Sequence, residues 1–385
     1  MTVMDNNIYL DHNATSPLLP EAQTAMNNAS GRSIGNPSSP HWAGRDAKIL
    51  LEESRESLAK SLGAEPREII FTSGGSESNN AVLRQLILAS GEQHLITSTI
   101  EHPSVLETCR ILAKQPNISL TELPVDTSGL INPESLKNEI LSQTTLISLM
   151  AANNETGCMQ PIGELCKIAR EHEISFHTDM VQTSGKIKLD LNKSGIDFAS
   201  VTSHKIGGPR GIGLLYARQG TSFESLVTGG KQERVRRAGT ENVTLAVGFA
   251  KALEWYLKNQ DRLQKQNTHF RKKVLDKISN IDGFFQNTNL DQSLQHTLNF
   301  GFSGISAESL LISLDLDGVA VSTGSACSSG AMEESHVLMA MGRSRAEAKS
   351  SLRVSWGWST KEDEIDYFLE KITHHIQRLR HKQLN

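Results

Sequence analysis

Short runs of β-branched and aliphatic residues alternate with helical stretches along most of this chain, and that alternation constrains its fold more than any other feature. Strands separated by helices cannot pair as tight hairpins, so the pattern predicts an α/β fold with a mainly parallel sheet covered by helices. The strand candidates are 68–71, 95–98, 145–150, 174–177 and 198–202, with 211–217 entered from a glycine-rich turn. Between 46 and 62, Ala47, Leu50, Leu51, Leu58 and Leu62 recur at helical spacing, and Gly63 stands where a C-terminal cap belongs. Around 245–282 the pattern becomes long and helical, which reads as a bridge to a second unit with strands at 296–302, 318–322 and 352–356. A chain of 385 residues is long enough for two such units. No internal repeat and no low-complexity tract interrupts it.

Composition narrows the function classes. Hydrophobic residues at 37% and charged residues at 21% fit a globular protein rather than a disordered one. A net charge of −4 supplies no basic field for nucleic acid, so no direct nucleic-acid binding is expected. The basic end, 374–382, reads as the solvated C-terminus of a helix, where cations complement the dipole. The first thirteen residues lack a basic start followed by an apolar run, and no stretch approaches the ~20 apolar residues of a membrane span. Neither a signal peptide nor a membrane anchor is therefore expected. Cys109, Cys158, Cys166 and Cys327 show no paired or metal-like spacing, and the thirteen histidines show none either. The expectation is a cytoplasmic protein with no metal, in which a special cysteine is special for its reactivity.

Three features then point to one chemistry. Lys205 follows a strand candidate and precedes the glycine-rich turn Gly207-Gly208-Pro209. Asp179 and Gln182 form an Asp-x-x-Gln segment just past another strand, and Ser73-Gly74-Gly75-Ser76 turns from strand to helix. Such a turn offers backbone N–H groups and a helix dipole to an anion. Taken singly, a lysine is far more often an ordinary surface residue. Together, a carboxylate, a lysine and a phosphate cradle at the carboxyl ends of strands suit pyridoxal 5'-phosphate (PLP).

The same residues carry a family resemblance. Tyr9-Leu10-Asp11-His12-Asn13-Ala14-Thr15, Thr72 through Asn80, Glu101-His102, Asn153-Asn154-Glu155-Thr156-Gly157, Asp179-Met180-Val181-Gln182, His204-Lys205, Ala238-Gly239-Thr240-Glu241-Asn242 and Gly324-Ser325-Ala326-Cys327 run in order over nearly the whole chain. This set resembles the cysteine desulfurases, a class V branch of the fold-type I PLP enzymes. The resemblance implies a seven-stranded, mainly parallel sheet with a smaller α+β domain. It divides the chain into a large PLP-binding domain at 15–260 and a small domain formed by 1–14 and 261–385. The long stretch between Cys327 and the helical pattern near Val337 resembles the subgroup with an extended cysteine loop, which serves iron–sulfur cluster assembly and tRNA thiolation.

Roles follow residue by residue from that resemblance. Lys205 holds PLP covalently and, once released, moves the substrate Cα proton. Asp179 keeps the pyridine nitrogen protonated, and Gln182 donates to the phenolic oxygen, with Asn154 nearby at the substrate. His102 stacks on the ring and serves as an acid–base for the substrate thiol; its plainer reading is a histidine at a helix start. Gly75, Ser76, Thr202 and His204 hold the phosphate, Ser76 standing where the family often has threonine. Thr240 reaches the phosphate from the other subunit of a homodimer. Arg353 clamps the substrate carboxylate bidentately. Cys327 lies among Ser322-Thr323-Gly324-Ser325-Ala326 and Ser328-Ser329-Gly330, small polar residues expected in an exposed loop, and takes the sulfur as a persulfide. Cys109, Cys158 and Cys166 read as structural.

The implied reaction converts L-cysteine to L-alanine and passes sulfur to an acceptor protein: an iron–sulfur scaffold, a tRNA-thiolation relay or a DNA-modification protein. Selenocysteine lyase and aminotransferase chemistry are the enzymatic alternatives, and an aminotransferase has no use for Cys327. A partner-docking scaffold is the non-enzymatic one, and its mark would be loss of Lys205 or Cys327. The basic cluster Lys231, Arg234, Arg236 and Arg237 reads equally as a solvated loop or as a docking patch.

Overall fold

A computed structural model describes residues 7–323 and 334–384 of the chain. Its twelve strands are β1 (Ile8–Tyr9), β2 (Ile69–Thr72), β3 (Gln93–Ser98), β4 (Ile118–Leu123), β5 (Thr144–Ser148), β6 (Ser175–Asp179), β7 (Phe198–Thr202), β8 (Gly213–Ala217), β9 (Phe284–Gln286), β10 (Thr297–Phe302), β11 (Val319–Ala320) and β12 (Ser351–Ser355). Seven of them form one sheet in the order β2-β8-β7-β6-β5-β3-β4, in which only β8 runs against its neighbours. The mainly parallel α/β fold expected from the sequence is the fold observed.

Successive side chains of these strands feed different cores, as the two-residue period of a strand requires. Ile69, Phe71, Leu214 and Tyr216 join one apolar cluster, while Ile70 and Leu215 join another. The first cluster packs the sheet against the helices Pro20–Arg32, Trp42–Leu62 and Val243–Lys258. The second packs it against Gly75–Leu83 and Pro103–Leu112. Helix Trp42–Leu62 starts earlier than its periodicity predicts, because the His41 side chain accepts from the Gly44 N–H and caps it. It ends as predicted, with Gly63 in the left-handed region at φ 63°, ψ 49°.

The long helical stretch is two helices, Val243–Lys258 and Gln260–Ile278, broken at Asn259. The second supplies Phe270, Val274 and Ile278 to a further core beside the antiparallel sheet β12-β10-β9 and the parallel pair β1-β11. Helices Ala307–Leu316 and Glu362–Leu384 complete that core. The strand expected at 318–322 pairs only over Val319–Ala320, with Ser322 forming a separate bridge to Arg353. Bridging of Asp11 to Ser355 draws the N-terminal segment along β12. Among the described residues no helix is long and apolar enough to cross a membrane.

This topology positions the site. β3 leads outward to β4, and the chain then returns to the other side of β3 as β5. The carboxyl ends of β3 and β5 thus flank the point where strand order reverses, the usual ligand crevice of such sheets. His102 follows β3 and Asn154 follows β5.

Candidate active site

The carboxyl ends of β2, β3, β5, β6 and β7 all lie on one edge of the large sheet, and each delivers a residue singled out in the sequence. Gly213 of β8 pairs with both Thr72 and Thr202. A Cβ there would lie 2.7 Å from the Gly74 Cα and 2.6 Å from the Val201 carbonyl oxygen, so only glycine lets the Ser73–Ser76 turn approach β7 so closely. At Gly75, which opens helix Gly75–Leu83, a Cβ would lie 2.7 Å from Val181 Cγ2. The turn is fastened by Glu77, which accepts from the Ser73 N–H at 2.8 Å and from Arg237 at 2.9 Å. Ser76 is exposed on this turn, and Thr202 is buried beside it.

Asp179 ends β6 and is buried. Its Oδ1 accepts from the Val181 N–H at 2.9 Å, and its Oδ2 accepts from Asn79 Nδ2 at 2.8 Å. Gln182 donates through Nε2 to the Asn13 carbonyl, leaving a buried Oε1 with no partner among the described residues. Asn79 Oδ1 is likewise unpartnered. Lys205 stands in the short turn Ser203–Ile206 after β7 and donates to the carbonyls of Asn13 and Ala14 at 2.5 and 2.7 Å. Burial, followed by the charge of Arg353, brings its amine down to about 8, against the pull of Asp11 and Asp179. His204 pairs with Thr15 Oγ1 at 3.1 Å, and burial lowers its imidazole to about 4.

His102 fulfils its plainer reading without losing the other. Its Nδ1 accepts from the Ser104 N–H at 3.1 Å and so caps helix Pro103–Leu112. Nε2 takes no partner among the described residues. The surrounding protein disfavours the imidazolium, Asp179 favours it, and the net direction is downward. The preceding Glu101 is fully buried, bound by Ser98 and the Met150 N–H, and burial pushes its carboxyl up to about 8.

Arg353 is buried on β12. Its guanidinium donates to Asp11 Oδ1 at 2.7 Å and to the Asn154 carbonyl at 3.1 Å, and Nε stays unpartnered. Asn13 joins these parts. Its carbonyl receives Lys205 and Gln182, its Nδ2 donates to the Asn154 carbonyl and Thr297 Oγ1, and its N–H donates to Ser355 Oγ. Asp11, Asn13 and Asn79 had no assigned role in the sequence reading; their only signal was membership of the segments around Tyr9–Thr15 and Thr72–Asn80.

Thr240 is exposed ahead of helix Val243–Lys258, three residues beyond Arg237. Of the basic cluster, Arg234 meets Glu52, Arg236 donates to the Arg67 carbonyl and Arg237 meets Glu77. Cys327 lies outside the described residues. Cys109, Cys158 and Cys166 are fully buried. Among the described residues no group of three His, Cys, Asp or Glu side chains is arranged to hold a metal.

PLP fits these residues. A buried carboxylate at a strand end, an amine of lowered basicity, an orphaned buried amide oxygen and a strand-to-helix turn with no room for a side chain at Gly75 form a cradle for a phosphorylated, protonated heterocycle. Lys205, Asp179, Gln182 and the Gly75 turn would hold it.

Comparison with known proteins gives one consistent result. Residues 8–368 match the family described as aminotransferase class-V. The chain is 43% identical to cysteine desulfurase IscS of Dictyoglomus turgidum, covering 98% of this chain and 96% of that one. It is 40% identical to cysteine desulfurase IscS of Methanosarcina thermophila, over 97% and 93% of the two chains. Among solved structures, a NifS-like protein superposes with a TM-score of 0.92 at 36% identity, covering 97% of this chain and all of that one. SspA in complex with cysteine superposes with a TM-score of 0.81 at 35% identity, over 90% and 98% of the chains.

Proposed function

The chain belongs to the class-V aminotransferase family, among its cysteine desulfurases, and from that premise we propose that it converts L-cysteine to L-alanine and leaves the sulfur as a persulfide on Cys327. What bound PLP supplies is a sink for the electron pair left at the substrate Cα when its proton departs. The protein's own residues do the rest. Asp179 holds the proton on the pyridine nitrogen. Arg353 fixes the substrate carboxylate, and Asn154 lies against the same guanidinium through its carbonyl. Lys205, its amine brought down to about 8, takes the Cα proton. His102 Nε2 receives the thiol proton of the substrate. The Cys327 thiolate forms a bond to the substrate sulfur as the Cβ–S bond breaks; the carbon keeps that electron pair and, once protonated, leaves as alanine.

The observation that carries this reading is how the chain on either side of Cys327 is fastened. Ser322, before it, exchanges backbone hydrogen bonds with Arg353 at 3.1 and 2.6 Å. After it, Ser335 donates to the buried Glu155 carboxylate at 2.5 Å and His336 Nε2 pairs with the Glu101 carbonyl at 3.0 Å, one residue from His102. The chain before Cys327 is tied to Arg353, and the chain after it to Glu155 and Glu101, the sequence neighbours of Asn154 and His102. Cys327→Ser tests the proposal. It should keep the yellow cofactor and the spectral change on adding cysteine, yet lose alanine formation and the added sulfur atom on the peptide holding residue 327. Alanine formation at the wild-type rate would overturn it.

The proposal extends to organisation. PLP belongs to 15–260, and the carboxylate clamp and the sulfur-carrying cysteine belong to 1–14 with 261–385. The working form is a cytoplasmic homodimer in which Thr240 of one protomer completes the phosphate site of the other. Mixing Lys205→Ala with Thr240→Ala subunits should then restore activity, because one hybrid site is intact. The acceptor is a protein of the kind that serves iron–sulfur assembly, tRNA thiolation or DNA modification.

A further inference from the structure

Lys205 also borders a second cavity, of about 140 Å³, which none of His102, Asn154, Asp179, Gln182 or Thr202 lines. Its walls come from both ends of the molecule: the turn after β6, helix Gln260–Ile278, the approach to β10 and the Trp356–Trp358 segment after β12. Its basic side chains have no acidic counterpart among the described residues. Lys186, Lys205, His12 and His296 line it, and among the described residues no aspartate or glutamate does.

Lys186 is the centre of that imbalance. Its Nζ lies 3.0 Å from His296 Nε2, and no acidic partner faces it among the described residues. Burial and repulsion from Lys205 bring its amine down to about 7. His296 cannot share the positive charge, because burial drives its basicity well below the usual imidazole value. His12, lowered to about 3 by burial, is held by Ser16 at 2.9 Å. A buried amine in this setting lacks the anion that would stabilise its charged form.

Size and wall chemistry limit what that anion can be. A cavity of about 150 Å³ takes a molecule the size of benzene, so the space suits a ligand of about four to six heavy atoms. Trp356, Trp358 and Leu263 give an apolar wall for a short carbon chain. An amino acid would bring an ammonium group into a cavity whose described walls hold no acid to pair with it. We propose that this cavity is a second ligand site, which takes a small amine-free carboxylate of two or three carbons, held by Lys186. Because its walls belong to two cores, the bound carboxylate bridges them.

The test is titration of the holoenzyme at constant ionic strength with acetate, pyruvate, alanine or acetamide, followed by tryptophan fluorescence and calorimetry. In Arg353→Ala, which lacks the substrate carboxylate clamp, acetate and pyruvate should saturate one site per chain, and the tighter of the two identifies the preferred carboxylate. Alanine, scored by its competition with bound acetate because as the product it also enters the cofactor site, and acetamide should bind at least about tenfold more weakly, the loss expected when one charge-assisted hydrogen bond is missing or a cation is misplaced. Lys186→Gln should weaken acetate by a similar factor, and His296→Leu serves as the second variant if that protein fails to fold. Arg353→Ala should leave the binding in place, since Arg353 does not line the cavity. Absence of saturation, equal competition of alanine with acetate, or loss on Arg353→Ala with retention on Lys186→Gln would overturn the proposal.

Discussion

Asp11 and Arg353, 342 positions apart in the chain, form an ion pair of 2.7 Å at the place assigned to the substrate carboxylate. The arginine side chain is 4% exposed and the aspartate 19%. Asp11 therefore holds the guanidinium ready in a site that water barely reaches. Asp11→Asn should lower folding stability by about 2 kcal/mol, less than the ~3–5 kcal/mol of a fully buried pair because the aspartate keeps some solvent. Denaturant titration measures it. Arg353→Lys should raise the KM for cysteine by about tenfold or more with PLP content preserved, since lysine cannot make the bidentate contact. An unchanged KM would place the carboxylate elsewhere.

Thiol labelling should single out one cysteine. Burial pushes Cys166 up to about 11, Cys158 to about 12 and Cys109 higher still. All three stay protonated and shielded in the folded protein at pH 8. Iodoacetamide should add one equivalent to the wild type and none to Cys327→Ser. Two or more equivalents in the folded state would contradict the structural role given to the other three.

Cofactor uptake should depend on pH through Lys205. Only the neutral amine attacks the aldehyde of PLP, and the amine of the cofactor-free protein sits at about 8. Covalent incorporation should rise as pH passes through about 8 and level off above it, whereas an ordinary lysine near ~10.4 would still be climbing. Arg353→Ala removes the second cause of the lowering and should move the inflection upward. Borohydride-fixed PLP, measured against pH, gives the answer.

Ser335 should link stability to sulfur transfer. Its hydroxyl donates to buried Glu155 and accepts from the Leu338 N–H, capping helix His336–Ala340. Ser335→Ala should cost about 1–2 kcal/mol. It should also lower kcat for alanine formation while PLP content and KM stay close to wild type, because the change loosens the end of the cysteine segment rather than the cofactor site. Steady-state kinetics beside absorbance spectra separate the two effects.

The sheet was legible because its strands are buried runs set between helices: β7 was read to the residue, and β2, β3, β5, β6 and β8 within a few positions. β4 was missed because Ser119, Thr121 and Glu122 give an edge strand a polar composition that resembles a loop. β1 and β9 are too short for any period to emerge. The early start of helix Trp42–Leu62 escaped because Trp42 is exposed, so the apolar stripe begins only at Ala43 and Ala47. The break at Asn259 escaped because the apolar pattern continues on both sides of it. In the site, Lys205 and Asp179 carry their chemistry in their residue types. Asp11 and Asn13 act through partners hundreds of residues away, and no local pattern announces such contacts.

Asn13 receives the amine of Lys205 and is itself anchored by Ser355, so the cofactor lysine is held between the two ends of the polypeptide. A ribosome releases the first of these residues long before the last. The large sheet can form while the C-terminal third is still being made, but Arg353, Ser355 and the partners of Asn13 arrive only near the end of synthesis. Capture of PLP in its working geometry is therefore a late, post-translational event, and a nascent chain truncated before β12 would hold its lysine without the support that positions it.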